Sequence, residues 1–276
     1  MSRFMLSYTE GSSVIHRLCG ATKFIFFLLW SAVAMTTYDT RIMAAMALLA
    51  LVLFGVSRVR WREVSFIFAL LLLFMGFNLI AIYIFAPEQG VEVYRTRHLL
   101  FAGYGRFTVT AEQLFYLANV LLKYCVIVPP ALLLIVTTHP GEFASSLNRI
   151  GVSYSIAYAV SLTLRYIPDV QRVYLDISRA QQARGIELSS RASWVKRLKG
   201  AAAILMPLLF NSLERIDVVS TAMILRGFGK NRRRTWYSYK PFTFADIAVI
   251  TVSVLLTALC LWITFKDGDR FYNPFI

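Results

Sequence analysis

The chain has 276 residues, of which 58% are hydrophobic and only 16% charged, well below the roughly 25% charge of soluble domains. That balance excludes an ordinary soluble globule. The net charge of +14 sits beside long apolar runs with no recognised nucleic-acid motif, so it reads as a membrane-orienting surplus facing anionic headgroups, with no nucleic-acid partner.

Five apolar runs predict membrane spans. The first covers residues 24–38, with Lys23 at its edge able to snorkel. It begins after about twenty mixed residues and lacks a convincing small-residue cleavage site, so a retained span is expected. Residues 42–57 and 64–87 are the second and third uncharged runs. Arg58, Arg60 and Arg62 lie between them and mark a cytoplasmic connection. The N-terminus is then cytoplasmic and the turn at 36–41 outside. The segment 88–112 is also outside, although it carries Arg95, Arg97 and Arg106. Its Gly-Val-Glu-Val-Tyr and Gly-Arg-Phe-Thr-Val-Thr patterns alternate and predict a short hairpin or an interfacial loop.

The fourth run, 113–138, returns to the cytoplasm. It contains Pro129-Pro130, expected to kink it, and one charge, Lys123. An intramembrane charge is a functional candidate, or it faces a polar interior or snorkels. The fifth run is 247–265. Cys19, Cys125 and Cys260 are far apart and odd in number, which fits free thiols rather than a disulfide framework.

Between the fourth and fifth runs the composition changes and most basic residues gather. Uncharged stretches there, 152–164 and 200–210, are too short for confident spans. Pro168 is expected to set a helix boundary. After it Asp169, Arg172, Asp176 and Arg179 recur three and four apart beside an apolar stripe, which predicts an amphipathic helix ending at Arg184-Gly185. Pro207 precedes a second such unit, which ends at Arg226-Gly227. Lys230, Arg232, Arg233 and Arg234 follow as a further cytoplasmic marker.

The two units close with one frame, Ser-x-Ala-x-x-x-Arg-Gly: Ser178, Ala180, Arg184, Gly185 and then Ser220, Ala222, Arg226, Gly227. One such end is explained as a helix stop, since the dipole favours arginine there and glycine follows. Two ends with one frame, 42 residues apart, point to two similar receptors or to one receptor with two-fold symmetry. Arginine suits docking because its planar fork engages carboxylates bidentately. Catalytic patterns are missing. His16, His98 and His139 are isolated, and no metal-ligand spacing, phosphate loop or nucleophile elbow occurs.

Further residues carry a family resemblance. They are Thr137-Thr138-His139-Pro140-Gly141-Glu142, Leu164-Arg165-Tyr166-Ile167-Pro168, Ala180-Gln181-Gln182-Ala183-Arg184-Gly185 and Leu225-Arg226-Gly227. Ser13, His16, Leu18 and Lys23 match an N-terminal pattern whose Asp-Pro pair is replaced here by Cys19-Gly20. Over about residues 10 to 240 the chain resembles the transmembrane T subunit (EcfT/CbiQ-like) of an energy-coupling factor (ECF) ABC transporter.

The resemblance implies an all-α polytopic membrane protein with about five transmembrane spans plus long amphipathic cytoplasmic coupling helices. Residues 1–138 would form the N-terminal transmembrane bundle, 139–240 the coupling-helix region at the cytoplasm and membrane interface, and 241–276 the C-terminal span and tail. It implies a non-catalytic subunit in the cell membrane, its N-terminus and coupling region cytoplasmic. Two ABC ATPases would bind ATP and Mg, this chain holding no cofactor or metal. The ATPases would dock on Ala183, Arg184, Gly185 and on Leu225, Arg226, Gly227. A membrane-embedded S subunit would bind the vitamin or metal ion. The alternatives are a conventional ABC permease binding substrate directly, for which no Glu-Ala-Ala-type motif is found, and a lipid-modifying membrane enzyme centred on 88–112.

Overall fold

The structure is a computed structural model that describes residues 13–57, 59, 61–101, 107–186, 193–230, 235–236, 240–266 and 271–274. Arg58, Arg60, Arg106, Arg232, Arg233 and Arg234, used above for orientation or loop pattern, lie outside them. The apolar runs form helices, as hydrocarbon demands of a backbone that must satisfy its own polar groups. In chain order these are α1 (Val14–Arg17), α2 (Gly20–Thr36), α3 (Thr40–Val56), α4 (Trp61–Phe85) and α5 (Gln89–Tyr94). A two-stranded antiparallel ribbon follows, β1 (Leu99–Phe101) with β2 (Val109–Thr110). Then come α6 (Ala111–Thr137), α7 (Pro140–Arg149), α8 (Tyr154–Ala183), α9 (Trp194–Leu225) and α10 (Phe244–Lys266). Among the described residues the fold is all-α apart from that ribbon and one isolated bridge, Tyr38 with Phe271. Among the described residues three helices, α4, α6 and α10, are long and apolar enough to cross a membrane. The apolar α2 and α3 have 17 residues each, about 26 Å of helix and the short limit for a span.

The fold divides into two compact units. One combines the chain up to Ser146 with the chain from Lys240 onward; the other is Leu147–Tyr239. In the first unit α6 is central. The helices α2, α3, α4 and α5 pack on it, and α10 packs on α2. Trp30, Ala34, Met46, Ala47, Ala50 and Val126 belong to its core, where the alanines let helices approach closely. Pro129 and Pro130 lie within α6. Pro130 has no N–H, so the Val126 carbonyl loses its helical donor. The Trp30 indole N–H donates to that carbonyl at 2.9 Å, which ties α2 to the middle of α6.

At the end of this unit where α2 meets α3, Lys123 Nζ sits 3.3 Å above the Tyr38 ring. The lone charge of the fourth apolar run thus has an aromatic partner. Nearby, Asn119 accepts from Thr40 Oγ1 at 2.7 Å and donates to the Tyr94 hydroxyl at 3.0 Å. The expected hairpin in 88–112 is present, but only in its second half. Gly90–Tyr94, the first alternating pattern, is helical because the fold outweighs so short an alternation. The Gly90 N–H donates to Gln113 Oε1 at 2.7 Å, and the Glu112 backbone leaves no room there for a Cβ.

In the second unit α8 packs on α9. Pro168 and Pro207 do not set helix boundaries as expected; each lies inside a helix of 30 or 32 residues. For Pro207 the reason is visible. The proline frees the Ala203 carbonyl, and Gln181 Nε2 of α8 donates to it at 3.1 Å. The bond lost within α9 is replaced by one between α8 and α9.

Candidate functional site

The repeated frame builds the same local structure twice. Ala183 is the last residue of α8 and Arg184 its C-cap; Leu225 and Arg226 hold the same places on α9. Gly185 has φ +83° and Gly227 φ +66°, the left-handed region that disfavours residues with a Cβ. Space is not the constraint, since a Cβ at either glycine would touch nothing.

At the first tip the Ile186 N–H bonds to the Gln181 carbonyl and the Gly185 N–H to that of Gln182. At the second, the Phe228 N–H bonds to Met223 O and the Gly227 N–H to Ile224 O. Both are complete Schellman motifs. They use up carbonyls at the helix end and leave the arginine side chains outside the cap. Ala183, Arg184, Leu225 and Arg226 are all exposed.

The helices present these tips at opposite ends of one pair. Gln181 meets Ala203, Asp169 meets Arg215, and the Tyr158 ring meets Phe228. Residue numbers fall along α8 as they rise along α9, so the two are antiparallel. The second tip lies beside Tyr158, 26 residues back from Arg184, which separates the tips by about 40 Å along α8.

Their surroundings differ. The first tip is held by the Gln181 bond to the proline-freed carbonyl and by Gln182 Nε2 donating to the buried Ser178 Oγ at 3.1 Å. The second rests on rings: Phe228 lies 4.6 Å from Tyr158 and 6.0 Å from Tyr154, and Trp236 lies 5.1 Å from Tyr154. Beside this second tip a cleft of about 450 Å³ opens between α8 and α9. Midway along the pair Arg215 donates to Asp169 at 2.6 Å and stacks 4.6 Å over the Tyr166 ring.

Residues 164–168 lie within α8, while the N-terminal and 137–142 motif residues gather in the first unit, where α2, α6, α7 and α10 begin or end. Lys23 is buried, and its ammonium donates to the Thr137 carbonyl at 2.8 Å, an acceptor at the end of α6. Glu142 Oε1 accepts from the Gly20 N–H at 3.0 Å and pairs with Lys240 at 3.6 Å. A Cβ at Gly20 would come within 2.8 Å of Ser146 Oγ.

Asp246, which the sequence reasoning passed over, is the hub of this knot. It accepts from the Cys19 N–H at 2.8 Å, Thr22 Oγ1 at 2.9 Å, the Thr243 N–H at 2.8 Å and Thr243 Oγ1 at 2.6 Å. Its signal was present: Thr243-x-x-Asp246 before an apolar run is a capping-box spacing. Among the described residues no group of three His, Cys, Asp or Glu side chains is placed to hold a metal ion.

Residues 11–237 match the family CbiQ, described as Cobalt transport protein. The chain is 27% identical over 269 residues to the energy-coupling factor transporter transmembrane protein EcfT of Brevibacillus brevis, an alignment covering 92% of this chain and 96% of that protein. Identity to the protein of the same name from Bacillus subtilis is 24% over 266 residues, covering 93% and 96%. For that of Listeria innocua it is 29% over 158 residues, covering 53% of this chain and 59% of that protein.

Proposed function

The chain belongs to the CbiQ family of cobalt transport proteins, and from that premise we propose that it is the energy-coupling transmembrane subunit of an ECF-type ABC importer. The observation that carries this reading is the pair of matching caps, each displaying one exposed arginine, at opposite ends of one antiparallel helix pair. Two cytoplasmic ABC ATPases, which bind ATP and Mg, each receive one tip: Ala183, Arg184 and Gly185 in one groove, Leu225, Arg226 and Gly227 in the other. ATP-driven closure moves the tips, and α8 and α9 carry the motion. Long helices suit this work because their backbone bonding makes them stiff along the axis. Exposed apolar side chains of α9, among them Leu209, Phe210, Leu213 and Ile216, offer a surface for a separate membrane-embedded S subunit that binds a vitamin or metal ion. The chain catalyses nothing itself, and its N-terminus and coupling region face the cytoplasm.

Affinity purification of the tagged chain from its native membrane tests this. The expected result is two ABC ATPase subunits and a small apolar membrane protein, with both ATPases lost from the Arg184→Ala/Arg226→Ala double variant. Direct binding of a transported substrate to the isolated chain would support the permease reading. A preparation with no ATPase at all would overturn the proposal.

A further inference from the structure

The two tips are alike in sequence, but only the second stands beside the cleft. Its lining includes Arg165, Asp169 and Tyr158 from α8, and Arg215, Arg226 and Phe228 from α9 and the turn after it. The charges there do not balance. Asp169 is engaged by Arg215 at 2.6 Å. Arg165 and Arg226 are both exposed, and neither has an acidic partner among the described residues. The cleft lining therefore carries two guanidinium groups that no described carboxylate engages, one from α8 and one from the end of α9, together with the rings of Tyr158 and Phe228.

We propose that this cleft is a receptor for one carboxylate side chain of the ATPase that docks at the second tip, with Arg165 as a second docking residue beside Arg226. The proposal rests on the reading of the chain as a coupling subunit. It adds that the second tip is more than its frame: Arg226 is joined by Arg165 in a two-arginine clamp built from both helices.

The chemistry favours an acidic side chain over a phosphate. Two guanidinium forks can share the two oxygens of a single carboxylate. The Asp169 carboxylate in the same lining repels a doubly charged phosphate more strongly than a singly charged carboxylate. The aromatic and aliphatic part of the lining suits the carbon stem of the incoming glutamate or aspartate and the residue next to it. Opening at the tip, the cleft is filled by whatever protein receives Arg226.

The test uses the assembled transporter. Arg165→Gln, Arg184→Ala and Arg226→Ala are compared for ATPase retention across a salt series, and Arg165→Lys is treated with a zero-length carbodiimide that joins amines to carboxylates. Retention in Arg165→Gln is expected to weaken about tenfold, the loss of one charge-assisted contact. The amine introduced by Arg165→Lys should cross-link to one acidic residue of an ATPase subunit, mapped by mass spectrometry.

Unchanged retention in Arg165→Gln, with losses in both tip variants, would overturn the clamp and leave the coupling reading standing. ATPase retention in all three variants would overturn the coupling reading itself. If Arg165→Gln instead lowers the phosphatidylglycerol carried over phosphatidylcholine in nanodiscs while ATPase retention holds, the cleft takes a lipid headgroup and the proposal is wrong. Retention by Arg165→Lys close to the parent shows that the helix pair folds, so that a loss in Arg165→Gln is one of docking.

Discussion

The tips after α8 and α9 repeat one frame and one cap, yet they are secured by different physics. The first is tied by directional polar bonds, Gln181 to the Ala203 carbonyl and Gln182 to Ser178. The second is seated on a cluster of rings, Tyr154, Tyr158, Phe228 and Trp236. A cap needs only the few residues at a helix end, so one frame gives one cap wherever it occurs. What braces the cap comes from the neighbouring helix, and an antiparallel pair sets each tip against a different stretch of its partner.

Four tests probe how far the likeness and the difference extend. The largest effect is expected where the tips are alike. Arg184→Ala/Arg226→Ala should lower ATPase retention by at least about 100-fold, since each charge-assisted contact is worth about 1.5–3 kcal/mol; titration of the purified ATPases against the reconstituted subunit measures it. Equal losses from the two single variants would mean that the tips are equivalent in docking.

Next come Gly185→Val and Gly227→Val. Each forces a β-branched residue to positive φ, a strain of about 1–3 kcal/mol. Hydrogen exchange should quicken at the Ile186 amide in the first variant and at the Phe228 amide in the second, because those N–H groups close the caps. The aromatic seat should make the second change the smaller. An equal response at both tips would show that the rings add nothing to the cap.

A third test addresses the first tip alone. Gln181→Ala leaves the Ala203 carbonyl unpaired and should destabilise the α8–α9 pair by about 1 kcal/mol in thermal unfolding. Pro207→Ala returns a backbone donor to that carbonyl, so in its background Gln181→Ala should have almost no effect. Losses that simply add would show that the side chain and the proline act independently.

The smallest effect is expected at Asp169→Asn. The Asp169–Arg215 pair is partly exposed, and such pairs contribute below about 1 kcal/mol. A larger loss in unfolding temperature than in Gln181→Ala would reverse this ranking.

Much of the architecture was legible in the chain. The uncharged runs became helices, and the Arg-Gly frames became helix ends with glycine at positive φ. Pro168 and Pro207 misled as helix boundaries, because a proline's cost is local while its remedy is distant. Pro130 and Pro207 remain inside helices because Trp30 and Gln181 supply donors from other helices. Cys19-Gly20 looked like a departure from the family's Asp-Pro pair. Here Gly20 keeps an N–H that donates to Glu142, which a proline lacks, and it fits beneath Ser146 where a side chain would not.

The sequence by itself determined what depends on near neighbours: the apolar lengths that demand helices, the caps closed within six residues, and the Thr243–Asp246 box at the start of α10. Only the tertiary structure decided which prolines stay helical, that Asp246 also binds the start of α2, that Lys123 lies on Tyr38, and that the second tip alone borders a cleft with Arg165. These last depend on groups up to 227 positions apart in the chain. Local propensity sets which conformations a segment prefers, but an unpaired carbonyl or charge finds its partner only once packing brings distant segments together.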